Sequence, residues 1–286
     1  MNQHLSPSLL DTNPYDICVM LATRGRTKAL LDCITSLFDL AINKSKIQLI
    51  VAFDRDDYLG MGYFNDVVKP WLAQNCINYS VIITERFGYA KLNRYYNIMA
   101  NMAQADWLFF WNDDAIMETQ GWDKHITKYT GQFKVLSVLT HKEHPYSIFP
   151  IVPQAWVKVL GRISRHTQND TEISQMAYLL DIFERMPVYV THDRADLTGN
   201  NKDQTYQERE YKEGNPNDPD DFHNQNYYKK RIQDIQRLAQ YMKHIGADTS
   251  WWESCISGNN TEPFAKLAAN DPNKQVVIGN EFKKQS

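Results

Sequence analysis

At 286 residues the chain is long enough to bury a full α/β core, as one large domain or two small ones. Its 43% hydrophobic and 23% charged residues are those of a globular protein. The balance of 31 Lys and Arg against 34 Asp and Glu leaves a net charge of −3, which excludes an overall basic field for nucleic acid or an anionic membrane but not a local basic groove.

No apolar run approaches the roughly 18 to 20 residues of a membrane span. The start, MNQHLSPSLLDTNPYD, lacks the charged-then-apolar pattern of a signal peptide, so the expectation is an intracellular, cytoplasmic protein with no membrane span. Cys18, Cys33, Cys76 and Cys255 are scattered without a C-x-x-C pair, which argues against a zinc cage or a disulfide framework.

Residues 1–15, with Ser6-Pro7 and Asn13-Pro14, read as a lead-in without periodicity. Ile17 to Ala22 then predicts a buried strand, Thr23-Arg24-Gly25-Arg26-Thr27 a polar turn, and Leu30, Leu31, Ile34, Leu37 and Phe38 a helix at helical spacing. Together these make the βα unit of a nucleotide-binding sheet. Arg24 and Arg26 are candidates to pair with phosphates or stack on a base; the plainer alternative is helix-flanking surface charge.

Ile47 to Phe53 predicts a second strand that stops at Asp54-Arg55-Asp56-Asp57. Asp54 is placed to accept a hydrogen bond from a nucleobase or ribose, while Asp56 and Asp57 read as loop or helix-capping groups. Phe64 to Leu72 predicts a short helix interrupted at Pro70, and Tyr79 to Ile83 a third strand. Leu92, Tyr95, Tyr96, Met99 and Met102 then line an amphipathic helix as a core stripe, with Asn97 beside them.

The most informative stretch follows. Trp107-Leu108-Phe109-Phe110-Trp111 is a continuous apolar run that predicts a strand buried on both faces, and it leads straight into Asn112-Asp113-Asp114. In open α/β sheets ligands bind at the C-terminal edge, so these acids are candidates to hold a divalent cation against a diphosphate. A solvated turn is the alternative.

Val135 to Leu139 predicts another strand, and His141 and His144 after it have no third ligand at zinc-site spacing. Residues 161–172 lead into an apolar helix expected over Ile173 to Phe183, with Asp170 at its start, where an N-cap is its plain reading. Val188 to His192 predicts the last strand. Gly199 to Phe222 is polar and reads as a long loop or lid, Tyr227 to Ile245 as a charged amphipathic helix, and Asn259 to Ser286 as an irregular tail. Lys229-Lys230-Arg231 is a small basic cluster of the kind found on solvated helix faces. There is no internal repeat and no independent second core.

Four stretches, MLATRGR, YYNIMANMAQADWLFFWNDDAIMETQGW, NDTEI and THDRADLTGNNKDQTY, fall in an order that resembles the family 2-like glycosyltransferases of the GT-A fold, several of them encoded by bacteriophages and bacteria. The resemblance covers about residues 16 to 210. It implies a mostly parallel, Rossmann-like central sheet flanked by helices: a lead-in over 1–15, a nucleotide-sugar-binding and catalytic domain over 16–198, and a lid and C-terminal helical extension over 199–286 packed on the same domain.

The resemblance further implies that Thr23, Arg24, Arg26, Asp54, Asn97 and Asp113 hold the nucleotide sugar. It makes Asp114 and His192 the ligands of Mn2+ or Mg2+, and Asp170 the acceptor-side base of an inverting hexosyl or pentosyl transfer. Asn112 and Asn169 depart from the family's usual acidic pattern. The donor is then a nucleoside-diphosphate sugar, with a modified DNA base or a glycan among the acceptors. A nucleotidyltransferase on a similar sheet is a rival reading, but it favours a Gly-rich loop with Lys after the first strand, where this chain has only Gly25 among arginines. A sugar-nucleotide or glycan-binding domain that has lost its chemistry is the other.

Overall fold

The computed structural model describes residues 13–140, 146–192, 222 and 224–257. Within them one eight-stranded sheet runs in the order β3-β2-β1-β4-β7-β6-β8-β5. The strands are β1 (Tyr15–Thr23), β2 (Ile47–Asp54), β3 (Asn78–Thr84), β4 (Ala105–Asn112), β5 (Ala115–Met117), β6 (Val135–Thr140), β7 (Pro150–Pro153) and β8 (Phe183–His192). The first four pair in parallel, β7 is antiparallel to both β4 and β6, and β8 is parallel to β6 and antiparallel to β5.

The apolar runs of β1, β2 and β4 reflect burial on both faces. Ile17, Val19, Leu21, Trp107, Phe109 and Trp111 point into one core layer; the alternating Cys18, Met20, Leu108 and Phe110 point into the other. The first layer is closed by α1 (Thr27–Asp39), by the segment α2 (Tyr58–Tyr63) to α3 (Lys69–Gln74), and by Trp122 and Ile126 of α5 (Trp122–Thr127). The second is closed by α4 (Leu92–Met102), α6 (Gln154–Leu160), α7 (Asn169–Leu179) and two C-terminal helices, α8 (Gln225–His244) and α9 (Ser250–Ser257). In α8 the buried positions Ile235, Leu238, Ala239 and Met242 fall at i, i+3, i+4 and i+7, a single apolar stripe laid on the common core.

Several boundaries differ from the sequence expectation. Pro70 does not end the helix: the chain is helical without a break from Tyr58 to Gln74, and the residue that lacks an N–H is preceded by one π-helical turn at Phe64–Val68. The helix expected over Ile173 to Phe183 starts at Asn169 and stops at Leu179, because the chain reverses through Asp181 at φ 56° and Phe183 already opens β8. Strands β5 and β7, three and four residues long, gave no sequence signal. The residues before Asn13, His141 and His144, residues 199–221 read as the lid, and the tail from 259 lie outside the described residues.

The last long helix is also tied down by charge. Asp234 on α8 is buried; its carboxylate accepts from Arg162 Nη2 at 2.6 and 2.7 Å, and from Arg165 Nε and Nη2 at 2.6 and 3.0 Å. Arg162 and Arg237 donate in turn to the carbonyls that end α6. Removing one member of a buried ion network leaves the others uncompensated. Asp234→Ala is therefore expected to lower unfolding stability by about 2 to 4 kcal/mol, after allowance for the partly exposed arginines, as read from urea unfolding.

Candidate functional site

The site is built at the C-terminal edge of the parallel strands. The register Ala22↔Asn112 on one side of β1 and Thr23↔Phe53 on the other sets Thr23 between the ends of β4 and β2. Asp113 and Asp114 form the turn that leaves β4 and reverses into β5. Thr23 Oγ1 donates to Asp113 Oδ2 at 2.6 Å, and Arg26 Nη1 donates to Asp113 Oδ1 at 2.9 Å. The same Arg26 nitrogen lies 2.8 Å from Asp114 Oδ2.

The antiparallel pairing of Ala115 with His192 delivers the histidine to this turn. His192 Nε2 stands 3.1 Å from Asp114 Oδ1, yet that oxygen has no aligned hydrogen-bond donor, and His192 Nδ1 is likewise buried without a partner. Burial raises the Asp114 pKa, but the His192 ring and the Arg26 guanidinium outweigh it and hold the carboxyl below its ordinary value. Beneath the turn, Cys33 of α1 receives the Trp111 indole N–H at 3.0 Å and donates to Asn112 O at 3.3 Å. Burial, then the charge of Asp113, pushes its thiol pKa well up.

A second group gathers at the end of β2. Asp54, buried, accepts from Arg24 Nη1 at 3.0 Å and from the Tyr95 hydroxyl. Arg24 also forks onto Asp56 at 2.6 and 3.1 Å, and this contact leads the shift that lowers the Asp56 pKa. Tyr95 in turn accepts from the Phe87 and Gly88 amides at 2.8 and 3.3 Å; burial and Asp54 push its hydroxyl up to about 12. Asp57 caps α2 by accepting from Gly60 N at 3.0 Å, and it accepts from Gly25 N at 3.0 Å with its other oxygen. Gly60 is required there, since a Cβ would collide with the Asp57 carboxylate.

The third group lies at the start of α7. The N-cap is Gln168, so Asp170 is not the cap but stands within the first turn, where its Oδ1 accepts from Thr171 N at 2.8 Å. The helix N-terminus favours its negative charge. The Tyr96 hydroxyl of α4 donates to Trp111 O at 3.0 Å; burial, and then the negative charge of Asp113, Asp114 and Asp170, drives its pKa far up.

Asn97 stands apart from the other expected donor contacts. Its Oδ1 accepts from Ile163 N at 2.8 Å and Ser164 N at 3.2 Å, and its Nδ2 donates to Ser164 O at 2.8 Å, so its amide is committed to the loop before α7. Asn93, one turn earlier, donates to Arg165 O at 2.8 Å. Glu172, only 1% exposed, holds the same loop by accepting from Ser164 Oγ, Arg165 N and His166 N at 2.6, 2.9 and 3.0 Å. Sequence reasoning missed Tyr95, Tyr96, Asn93 and Glu172 as site-building groups. The spacing of Asn93 and Asn97, four apart and so on one polar face of the helix, was the one available signal.

Among the described residues, no group of three or more His, Cys, Asp or Glu side chains is arranged to hold a metal ion. Asp114 Oδ1 and His192 offer an orphaned oxygen and a nearby ring nitrogen. That pair fits a divalent ion whose remaining ligands come from a diphosphate, in the oxygen-rich shell that Mn2+ and Mg2+ take.

No family model matches the sequence, and no curated protein matches it significantly. Solved structures do match the fold. The mannosyltransferase PcManGT of Pyrobaculum calidifontis, in complex with GDP-Man and Mn2+, aligns over 95% of this chain and 89% of its own with a TM-score of 0.53 at 9% identity. Residues 1–349 of S. aureus TarS, in complex with UDP-GlcNAc, align over 95% and 92% with a TM-score of 0.51 at 13% identity. A longer S. aureus TarS structure, of which this chain spans 35%, matches at a TM-score of 0.45 and adds nothing to the comparison. The sheet order, the acids at the edge of β4 and these two alignments agree: the chain has the GT-A fold of glycosyltransferases.

Proposed function

We propose that the protein is a glycosyltransferase that moves a sugar from a nucleoside-diphosphate donor to an acceptor hydroxyl with inversion. The observation that carries this reading is the cluster of Thr23, Arg26, Asp113, Asp114 and His192 at the C-terminal edge of the parallel strands, in a fold shared with solved proteins in complex with GDP-Man and Mn2+, or with UDP-GlcNAc. In this reading Thr23, Arg24, Arg26, Asp54 and Asp113 line the nucleotide side, and Asp114 and His192 hold Mn2+ or Mg2+. When bound, that ion supplies Lewis-acid neutralisation of the diphosphate.

The remaining chemistry belongs to the chain itself. Arg26 adds positive charge where negative charge develops on the departing diphosphate. The Asp170 carboxylate accepts the proton of the acceptor hydroxyl as its oxygen bonds to the anomeric carbon and the bond from that carbon to the diphosphate oxygen breaks. Attack from the face opposite the leaving group inverts the anomeric centre. A hydroxylated DNA base or a glycan is the proposed acceptor class, to be separated by assay once a panel of nucleotide sugars has identified the donor by hydrolysis.

Calorimetry with UDP and GDP, with and without Mn2+, tests the core of this proposal. Nucleotide affinity is expected to rise with metal in the native protein and to lose that rise in Asp114→Ala; an affinity indifferent to EDTA sinks the metal component. Asp170→Asn is expected to cut turnover about 10²-fold or more with donor binding intact, whereas near-normal turnover moves the base elsewhere. Asn97→Ala is expected to cost about 1 to 3 kcal/mol of unfolding stability through the loop amides it strands, with UDP and GDP affinity unchanged. A loss of affinity without a loss of stability would return Asn97 to the donor.

A further inference from the structure

The acid pair at the end of β4 already holds a cation. Asp113 has both oxygens engaged, Oδ2 by Thr23 at 2.6 Å and Oδ1 by Arg26 at 2.9 Å; Asp114 Oδ2 lies 2.8 Å from the same Arg26 nitrogen. Only Asp114 Oδ1, beside His192, is left open. A guanidinium stays protonated at every accessible pH, so raising the pH does not vacate this position. A divalent ion arriving alone meets one open carboxylate oxygen, one imidazole and a fixed positive charge bridging the pair.

We propose, on the reading that the protein binds a metal–diphosphate, that Arg26 is an internal counter-cation that keeps the acid pair closed to metal until a diphosphate draws it away. A diphosphate offers the guanidinium paired oxygens, a geometry it bonds in a bidentate manner. The transfer frees Asp114 Oδ2 and Asp113 Oδ1 at the moment that phosphate oxygens become available to complete a metal shell. Cation and nucleotide therefore enter as one unit, and by linkage each strengthens the other by the same factor. The arrangement also offsets about one of the two carboxylate charges between turnovers. Arg26 stands at the N-cap position of α1 without making a side-chain cap hydrogen bond, so its loss removes no cap.

The test is direct binding of Mn2+ to the full chain, with free Mn2+ counted by electron paramagnetic resonance, alone and with saturating UDP or GDP. Native protein is expected to bind Mn2+ weakly alone and about tenfold or more tightly with nucleotide. In Arg26→Ala, Mn2+ alone is expected to bind about tenfold or more tightly than in the native protein, and the gain on adding nucleotide is expected to shrink to what the phosphate oxygens contribute by themselves. Arg26→Lys, which keeps a charge but loses the fork, is expected to fall between, and circular dichroism confirms that each variant is folded. If nucleotide tightens Mn2+ binding in the native protein but Arg26→Ala binds Mn2+ alone no better, the counter-cation role is overturned while the metal–diphosphate reading stands. If the native protein binds no Mn2+ even with UDP and GDP present, that underlying reading fails and the counter-cation role with it.

Discussion

Two adjacent carboxylates at the end of a strand buried on both faces are the constraint around which this molecule is arranged. Each ion withdrawn from water costs several kcal/mol, and the two repel one another. An opposite charge at about 4 Å returns roughly 4 kcal/mol at an effective dielectric of about 20, so one arginine offsets about one of the two acids. Thr23 ends β1, Arg26 lies in the turn after it and His192 ends β8, so all three reach the acid pair only because those strands stop where they do.

Helix α4 links the three parts of the site to one another. Within five consecutive positions, Asn93 and Asn97 hold the loop before α7, Tyr95 reaches Asp54 at the end of β2, and Tyr96 reaches the end of β4. The helix meets these partners because one polar side of it faces the loop while the tyrosines pass their hydroxyls over the edge of the sheet, their rings remaining in the core. Glu172 and Asp234 fix the same loop from α7 and α8. Asp170 thus stands at the start of a helix whose approach is bonded from three elements, and its distance from the acid pair is set by packing rather than by loop flexibility.

This division of labour explains why α8 belongs with the core. Its apolar stripe docks on the layer formed by α4, α6 and α7, while Asp234 and Arg237 engage the charges and carbonyls at the end of α6. Phe222, just before it, is buried against His166 and under the Arg231 guanidinium, with the ring 4.0 Å from the charge. Residues 222 and 224–257 therefore support the loop before α7 and the start of the helix that carries Asp170.

Much of the sheet was written in the sequence because burial on both faces demands an apolar residue at every position. Ile47–Phe53 and Trp107–Trp111 could be read as strands from that fact alone, and the polar residues that ended them marked the functional edge. The sequence did not reveal β5 and β7, which are too short to carry a period, nor that the helix runs on past Pro70 by way of a π-helical turn. Still less could it assign Asn97 to the backbone of residues 163 and 164, Tyr95 to Asp54, or Arg26 to both acids, because these partners are dozens of residues apart and a side chain's alphabet is the same whether it serves a ligand or a loop. The sequence by itself determined the strands and the chemistry available at their ends, through local burial; which of those groups face one another was decided only by tertiary packing, since hydrogen bonds and ion pairs depend on separations in space that no local pattern encodes.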